Sequence, residues 1–316
     1  MSGSVLYDAP GPQARLRNLL YSLGFIVVAA LVAWWVVRGL SDKNQLDWNK
    51  WSPFFTDSRV WTTYLLPGLV NTLKAAALAM ALALPLGAAL GIARLSEHAW
   101  LRWAAGTVVE FFRAIPVLML MAFASAFYAV YTEISSDLRP LYAVVTGLVL
   151  YNASVLAEVF RAGILALPQG QTDAAKAIGM RKSQTMLSVL LPQSVTAMLP
   201  AIVSQLVVIV KDTALGGALL GYAELISKTR PIYGNYGANV IATLTVIAAV
   251  FIVLNFLLTS FAGWLERRLR RARRRGGTVL AAAMDEQIEG PGQPVPAASA
   301  LRQEPEDEQH REPRGP

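Results

Sequence analysis

The sequence predicts an all-α integral membrane protein with six transmembrane helices and both termini in the cytoplasm. Three observations carry that expectation. The chain of 316 residues is 54% hydrophobic and 16% charged, with a mean hydropathy of +0.43, whereas a soluble domain averages about 25% charged residues. Six stretches approach or exceed the ~20 apolar residues that a bilayer core requires. The lysines and arginines beside those stretches are shared unequally between the two sides.

The composition also excludes several classes of chemistry. There is no cysteine, so a disulfide scaffold, a thiolate metal site and a cysteine nucleophile are all absent. His98 and His310 are too few for a histidine-rich metal centre or relay. The net charge of +7 conceals a division, because residues 276–316 carry eight acidic and three basic side chains and the preceding body is strongly basic. Basic residues beside apolar spans set membrane orientation, so the charge does not call for nucleic acid.

The first span is Leu19–Val37, uncharged and set between Arg17 and Arg38. It is longer than the ~7–15-residue apolar region of a cleaved signal peptide and runs into Trp34 and Trp35, so it is expected to be retained. The second, Leu65–Ala93, carries one charge, Lys74. The third is Ala114–Tyr131, after the polar-edged stretch Trp103–Arg113. Leu141–Ala157, Leu187–Val210 (with Pro192 and Pro200) and the uncharged Val240–Trp264 complete the set.

With the amino terminus inside, fifteen lysines and arginines flank the cytoplasmic ends and seven flank the outer ends. That asymmetry favours cytoplasmic termini. The chain therefore divides into a cytoplasmic segment 1–18, a helix 19–37, an extracytoplasmic loop 38–64 and a transmembrane domain 65–265. A basic juxtamembrane run at 266–275, suited to orientation and membrane lipid, precedes a tail at 276–316. The tail is rich in Pro, Glu, Gln and Ala and is expected to be disordered. No inter-span segment is long enough for an independent enzyme domain.

The most informative stretch is AEVFRAGILALPQGQTDAAKAIGMRKSQTMLSVLLPQSVTAMLP, Ala157 to Pro200, on the expected cytoplasmic side. Pro168 and Gly170 break the incoming helix. Thr172 or Asp173 is placed to cap a short helix, and Gly179 sits where a helix stops. A slim helix of about two turns results, with Ala174 and Ala175 on its surface. By composition it serves equally as an interfacial connector or as an element that enters a groove on another protein.

DAAKAIG followed by LPQS resembles the cytoplasmic loop of ABC-transporter permeases, with Asp173 where glutamate is usual. LLPGLVNTLKAAALAMALALPLGAALGIARLS (65–96), VEFFRAIPVLMLM (109–121), EVFRAGILALPQGQ (158–171) and VIVKDTALGGALLG (208–221) resemble, in the same order, the polar amino-acid permeases that take up histidine, glutamine, arginine or glutamate. The likeness spans about residues 60–265. The opening VLYDAPGPQARLR, the extra first helix and the long tail resemble those of actinobacterial glutamate-uptake permeases.

The resemblance implies a five-helix type I ABC importer permease core behind an extra amino-terminal span. It implies a coupling loop at 158–186, with Asp173, Ala174, Ala175 and Gly179 docking on ATP-binding cassette subunits. It also implies a second permease subunit, tilted toward a heterodimer, and an extracytoplasmic amino-acid-binding protein. No cofactor is expected on this chain, because no lysine follows a glycine and a G-x-x-x-x-G-K-[ST] phosphate loop is impossible. ATP therefore belongs to a partner chain. Charges at membrane depth are functional suspects, which singles out Lys211 and Lys74 for the path of an anionic substrate. Snorkelling or interfacial anchoring accounts equally well for both. An ion-gradient-driven secondary transporter is the alternative, disfavoured by three wholly uncharged spans and by the docking helix.

Overall fold

A computed structural model describes residues 11–288, and every regular element among them is helical. The long helices are α1 (Pro12–Asp42), α2 (Val60–Ala93), α3 (Ala99–Ala114), α4 (Val117–Tyr131), α5 (Arg139–Leu165), α6 (Gln169–Ala177), α7 (Leu191–Leu219) and α8 (Val240–Ile288). Five of them are long and apolar enough to cross a membrane, and the bent pair α3–α4 brings the number to six if it counts as one span.

Among the described residues, α1 has none that is buried. A helix apolar on every side and so little covered by protein is one that lipid solvates.

The core of the body is the pair α2 and α5. α2 offers α5 a stripe of small residues that includes Ala75, Ala76, Ala79, Ala83, Gly87 and Gly91, all buried. Close backbone approach between membrane helices depends on such residues, because lipid removes the hydrophobic drive for association. A Cβ on Gly87 would lie 2.7 Å from Leu156 Cβ and 2.8 Å from the Ala153 carbonyl oxygen. One on Gly91 would lie 2.7 Å from the carbonyl oxygen of Ala157. Contacts advance along both helices in the same sense, so α2 and α5 run parallel. The chain must therefore return from one end of the body to the other between Arg94 and Arg139.

α4 makes that return. The expectation of one continuous span at Ala114–Tyr131 is corrected here. The helix breaks at Ile115 and Pro116, α3 and α4 meet at 98°, and Trp103–Arg113 belongs to a separate helix. Pro116 lacks an amide hydrogen and drives the residue before it out of the helical region. Ile115 is accordingly extended, with φ −92° and ψ 130°. At 15 residues, α4 is ~22 Å long, short of the ~30 Å hydrocarbon core.

α7 runs antiparallel to α5. Met198 packs against Gly163, Gln205 hydrogen-bonds Asn152, and Val144 packs against Gly216. The expected span Leu187–Val210 is shifted along the chain, because the helix runs from Leu191 to Leu219. Leu187 falls in a π-type turn over Thr185–Leu190, and Lys211 and Asp212 lie inside the helix instead of ending it. The stop comes after Leu220, at Gly221, whose φ of +74° suits glycine.

At the far end of the body the loop before α2 is stitched to the loop before α8. Asn239 Nδ2 donates to the Lys50 carbonyl at 3.1 Å, and the Tyr236 hydroxyl donates to Asp57 Oδ2 at 2.7 Å. That bond holds the Asp57 carboxyl below its ordinary range and pushes the Tyr236 hydroxyl up to about 12.

α8 continues to Ile288, into the stretch expected to be disordered. Residues 289–316 of that stretch, and residues 1–10, lie outside the described residues.

Candidate functional site

The end of the body that carries Arg94, Arg161 and Lys182 presents α6. Pro168, with φ −56° and ψ 132°, precedes its first residue, and no side chain caps it. Thr172 and Asp173 are therefore interior helical positions, a turn later than a capping role requires. Proline before Gln169 starts the helix earlier, because its φ is already fixed near the helical value.

The other end follows the sequence closely. The Gly179 amide donates to the Lys176 carbonyl at 2.9 Å, and the Met180 amide to the Ala175 carbonyl at 3.0 Å. With Gly179 at φ +79°, these bonds form a Schellman motif. Space around a Cβ at Gly179 is open. The glycine is needed for its backbone, and nothing within the chain fills the room beside it.

The four residues expected to take part in coupling do not share one face. Ala175 is buried at 4% exposure, on the side of α6 that packs against the turn Thr185–Leu190. Asp173, Ala174 and Gly179 are exposed, and beside them Ile178 stands 77% exposed. Ala175 thus seats the helix while the others face outward. Two polar contacts brace the loop. Gln193 Nε2 donates to Gln171 Oε1 at 3.2 Å, and Lys182 Nζ lies 2.8 Å from Glu97 Oε1, which lowers the Glu97 carboxyl.

Lys74 and Lys211 are both exposed on outer faces of the body. Lys74 is two residues from the buried Thr72 and Ala76, ~200° around α2 from the side that meets α5. Lys211 shares a face of α7 with Ala197, Ala201, Ser204 and Ala218, all exposed at heptad-like spacing. Within this chain neither lysine points into a core.

Sequence reasoning missed the polar lock at the opposite end. Glu224 is fully buried between α2 and the end of α7. Its Oε1 accepts the Ser227 amide at 2.9 Å, and Thr72 Oγ1 lies 3.5 Å from its Oε2. A Cβ on Gly217 would sit 1.7 Å from Oε1, so only glycine leaves room for the carboxylate. Next to it, the Tyr222 hydroxyl donates to the Asn71 carbonyl at 2.7 Å and Asn71 Nδ2 donates to the Ala223 carbonyl at 2.9 Å. Burial pushes the Glu224 carboxyl up, and the amides of Ile226 and Ser227 pull it back. The available signal was a lone acid three residues after a glycine stop, in GYAELISK. Glu224→Ala leaves the Ser227 amide unpartnered, costing about 1–3 kcal/mol, so its melting temperature in detergent will fall well below that of Glu224→Gln.

The exposed short helix bounded by proline and glycine, with the spans on either side of it, lies within a stretch that matches a known family. Residues 83–271 match the family described as binding-protein-dependent transport system inner membrane component. This chain belongs to that family. It is a multi-span permease component of the inner membrane, not an enzyme.

The permease is 49% identical over 240 residues to the glutamate transport system permease protein GluD of Corynebacterium glutamicum, covering 76% of this chain and 87% of that one. It is 29% identical to the arginine transport system permease protein ArgU of the same organism, over 84% and 86% of the two chains. Among solved structures, an amino acid ABC transporter crystallised with histidines matches with a TM-score of 0.58. Identity there is 26%, covering 66% of this chain and 95% of that one. The inward-facing MetNI methionine ABC transporter shares the fold, with a TM-score of 0.55 at 24% identity over 68% of this chain and 99% of that one.

Proposed function

We propose that this permease imports an acidic amino acid, L-glutamate, as one half of the translocation path of an ABC importer. The observation that carries the substrate is the 49% identity to the glutamate permease over three quarters of the chain. The parallel course of α2 and α5 supports one net crossing for α3–α4, hence six crossings with α1. The basic end then faces the cytoplasm together with both termini.

In this arrangement α6 enters a cleft on an ATP-binding subunit, presenting Asp173, Ala174, Ile178 and Gly179 while Ala175 holds it to the permease. ATP stays on that partner, and this chain holds no cofactor of its own. A second, related permease chain packs along the small-residue face of α7, and an extracytoplasmic binding protein delivers the substrate to the opposite end.

On that face Lys211 meets the carboxylates of the passing amino acid, with Lys74 further along the path. Losing a hydrogen bond to a charged group costs about 1.5–3 kcal/mol. Lys211→Ala is accordingly expected to cut glutamate uptake at least tenfold at unchanged expression, with Lys211→Arg recovering part of it. Unaltered kinetics in Lys211→Ala would remove this residue from the path.

The decisive experiment is affinity purification of the tagged permease from mildly solubilised membranes, with mass spectrometry of all retained chains and uptake of radiolabelled glutamate by the reconstituted complex. Recovery of an ATP-binding subunit, a second permease and a binding protein, with ATP-dependent glutamate uptake, is expected. A complete complex that carries another amino acid and ignores glutamate would overturn the substrate.

A further inference from the structure

At the basic end of the body a cavity of about 640 Å³ opens where α3 meets the ends of α2 and α5. Its wall brings together Arg94, Arg102 and Arg161 with one carboxylate, Glu110, and with Trp103, Gly106 and Phe111. Arg94 lies 2.7 Å from Glu158 Oε2 and 3.2 Å from Glu110 Oε1. Arg161 is 2.8 Å from Glu158 Oε1, and Arg113 is 3.6 Å from Glu110 Oε1. Three guanidinium groups thus face two carboxylates, and Glu97 nearby is taken by Lys182. Arg102 is exposed, pairs with no carboxylate among the described residues and donates one hydrogen bond, to the Ser96 carbonyl at 3.0 Å. With Arg102 and the neighbouring Arg113 both counted, two positive charges remain over.

Phe111 belongs at once to a second cavity, of about 500 Å³ and almost wholly apolar, which continues along α4. This groove is walled by Met119, Ala124 and Tyr128 of α4 and by Leu150 of α5. From Met119 to Tyr128 it follows nine helical steps, ~14 Å, about half of the ~30 Å hydrocarbon core. Trp100 and Trp103 flank the charged end at 72% and 74% exposure, in keeping with aromatic residues at the level of lipid head groups.

We propose that the two cavities form one binding site for an anionic phospholipid, with its phosphate among Arg94, Arg102 and Arg161 and one acyl chain in the groove along α4. The surplus charge selects a phosphate, which guanidinium groups bind through paired hydrogen bonds. The depth of the groove matches one leaflet. A lipid supplies both features in a single molecule, anion at one end and hydrocarbon at the other. A protein helix in the groove would have to bring acidic side chains of its own to the arginine cavity. Basic pockets between spans on the cytoplasmic side are suited to anionic head groups for the same reason.

The test uses the intact importer complex, purified and delipidated in detergent. Phosphatidylglycerol or phosphatidylcholine is added in mixed micelles, with native mass spectrometry and thermal melting as readouts. Wild type is expected to retain phosphatidylglycerol and to melt higher with it than with phosphatidylcholine. Arg102→Gln removes one charge, and Gly106→Leu fills a space in which a Cβ meets nothing within 4 Å. Each variant is expected to lose at least fivefold of the retained lipid while melting as wild type does in phosphatidylcholine. Because the chain has no cysteine, Ala124→Cys carries a single photo-cross-linker, expected to form lipid adducts. Equal stabilisation by both lipids, full stabilisation by glycerol phosphate alone, undiminished lipid in both variants, or cross-links to a protein chain would each overturn the proposal.

Discussion

Gly179→Trp will leave the permease in the membrane and abolish uptake, with loss of the ATP-binding subunit on purification. Two effects act together at this position. The backbone sits at φ +79°, where a residue with a Cβ costs roughly 1–2 kcal/mol, and the indole would fill the open space beside the exposed end of α6. Gly179→Asn separates them, since asparagine tolerates this conformation at a helix stop and adds little bulk. If docking sets the phenotype, Gly179→Asn keeps most uptake and most of the bound subunit. Equal loss in both variants would make Gly179 a purely conformational residue. Full uptake by Gly179→Trp would remove α6 from the coupling role altogether.

Gly87→Leu is expected to destabilise the whole body. The added Cβ meets Leu156 Cβ at 2.7 Å and a backbone carbonyl at 2.8 Å, and the rest of the leucine has nowhere to go without parting α2 from α5. Overpacking costs typically 1–3 kcal/mol where side chains are able to yield. Here backbone must yield, so about 3 kcal/mol or more is expected, roughly a 10 °C fall in melting temperature for a chain of this size. Gly24→Leu on α1, where a Cβ meets nothing within 4 Å, should leave the melting temperature unchanged. A Gly87→Leu protein that melts with wild type would mean that α2 and α5 are not held by this contact.

The span at Val240–Trp264 and the apolar core of α1 were legible because hydropathy over twenty residues reports a local property. The stop at Gly179 was legible for a related reason. A Schellman motif closes within six residues, so glycine after an alanine-rich turn suffices to find it. The third and fifth spans were harder. Their windows of apolar residues are continuous in composition, but the break at Pro116 divides one window between two helices that meet at 98°, and a π-type turn over Thr185–Leu190 takes up the start of the other.

The charges divide in the same way. Lys74 and Lys211 drew attention as cations inside apolar stretches, yet both face outward from the body. Glu224, overlooked in a loop, is an acid that the fold buries completely. Glu110 and Arg113 stand one turn apart on α3. The structure joins them through Arg94 to Glu158 and Arg161, residues far along the chain.

The sequence by itself determined that this is a helical membrane protein, which stretches are apolar, which residue ends α6, and the resemblance to amino-acid permeases. These depend on hydrophobicity, backbone stereochemistry and ordered motifs, all of which act over short distances. Only the tertiary structure decided that α2 and α5 run parallel on Gly87 and Gly91, that Ala175 faces inward while Ile178 faces out, and that Glu224 locks against Thr72 and Gly217. Each of those outcomes is set by which backbone approaches which, and close approach between helices distant in the chain leaves no mark in local composition.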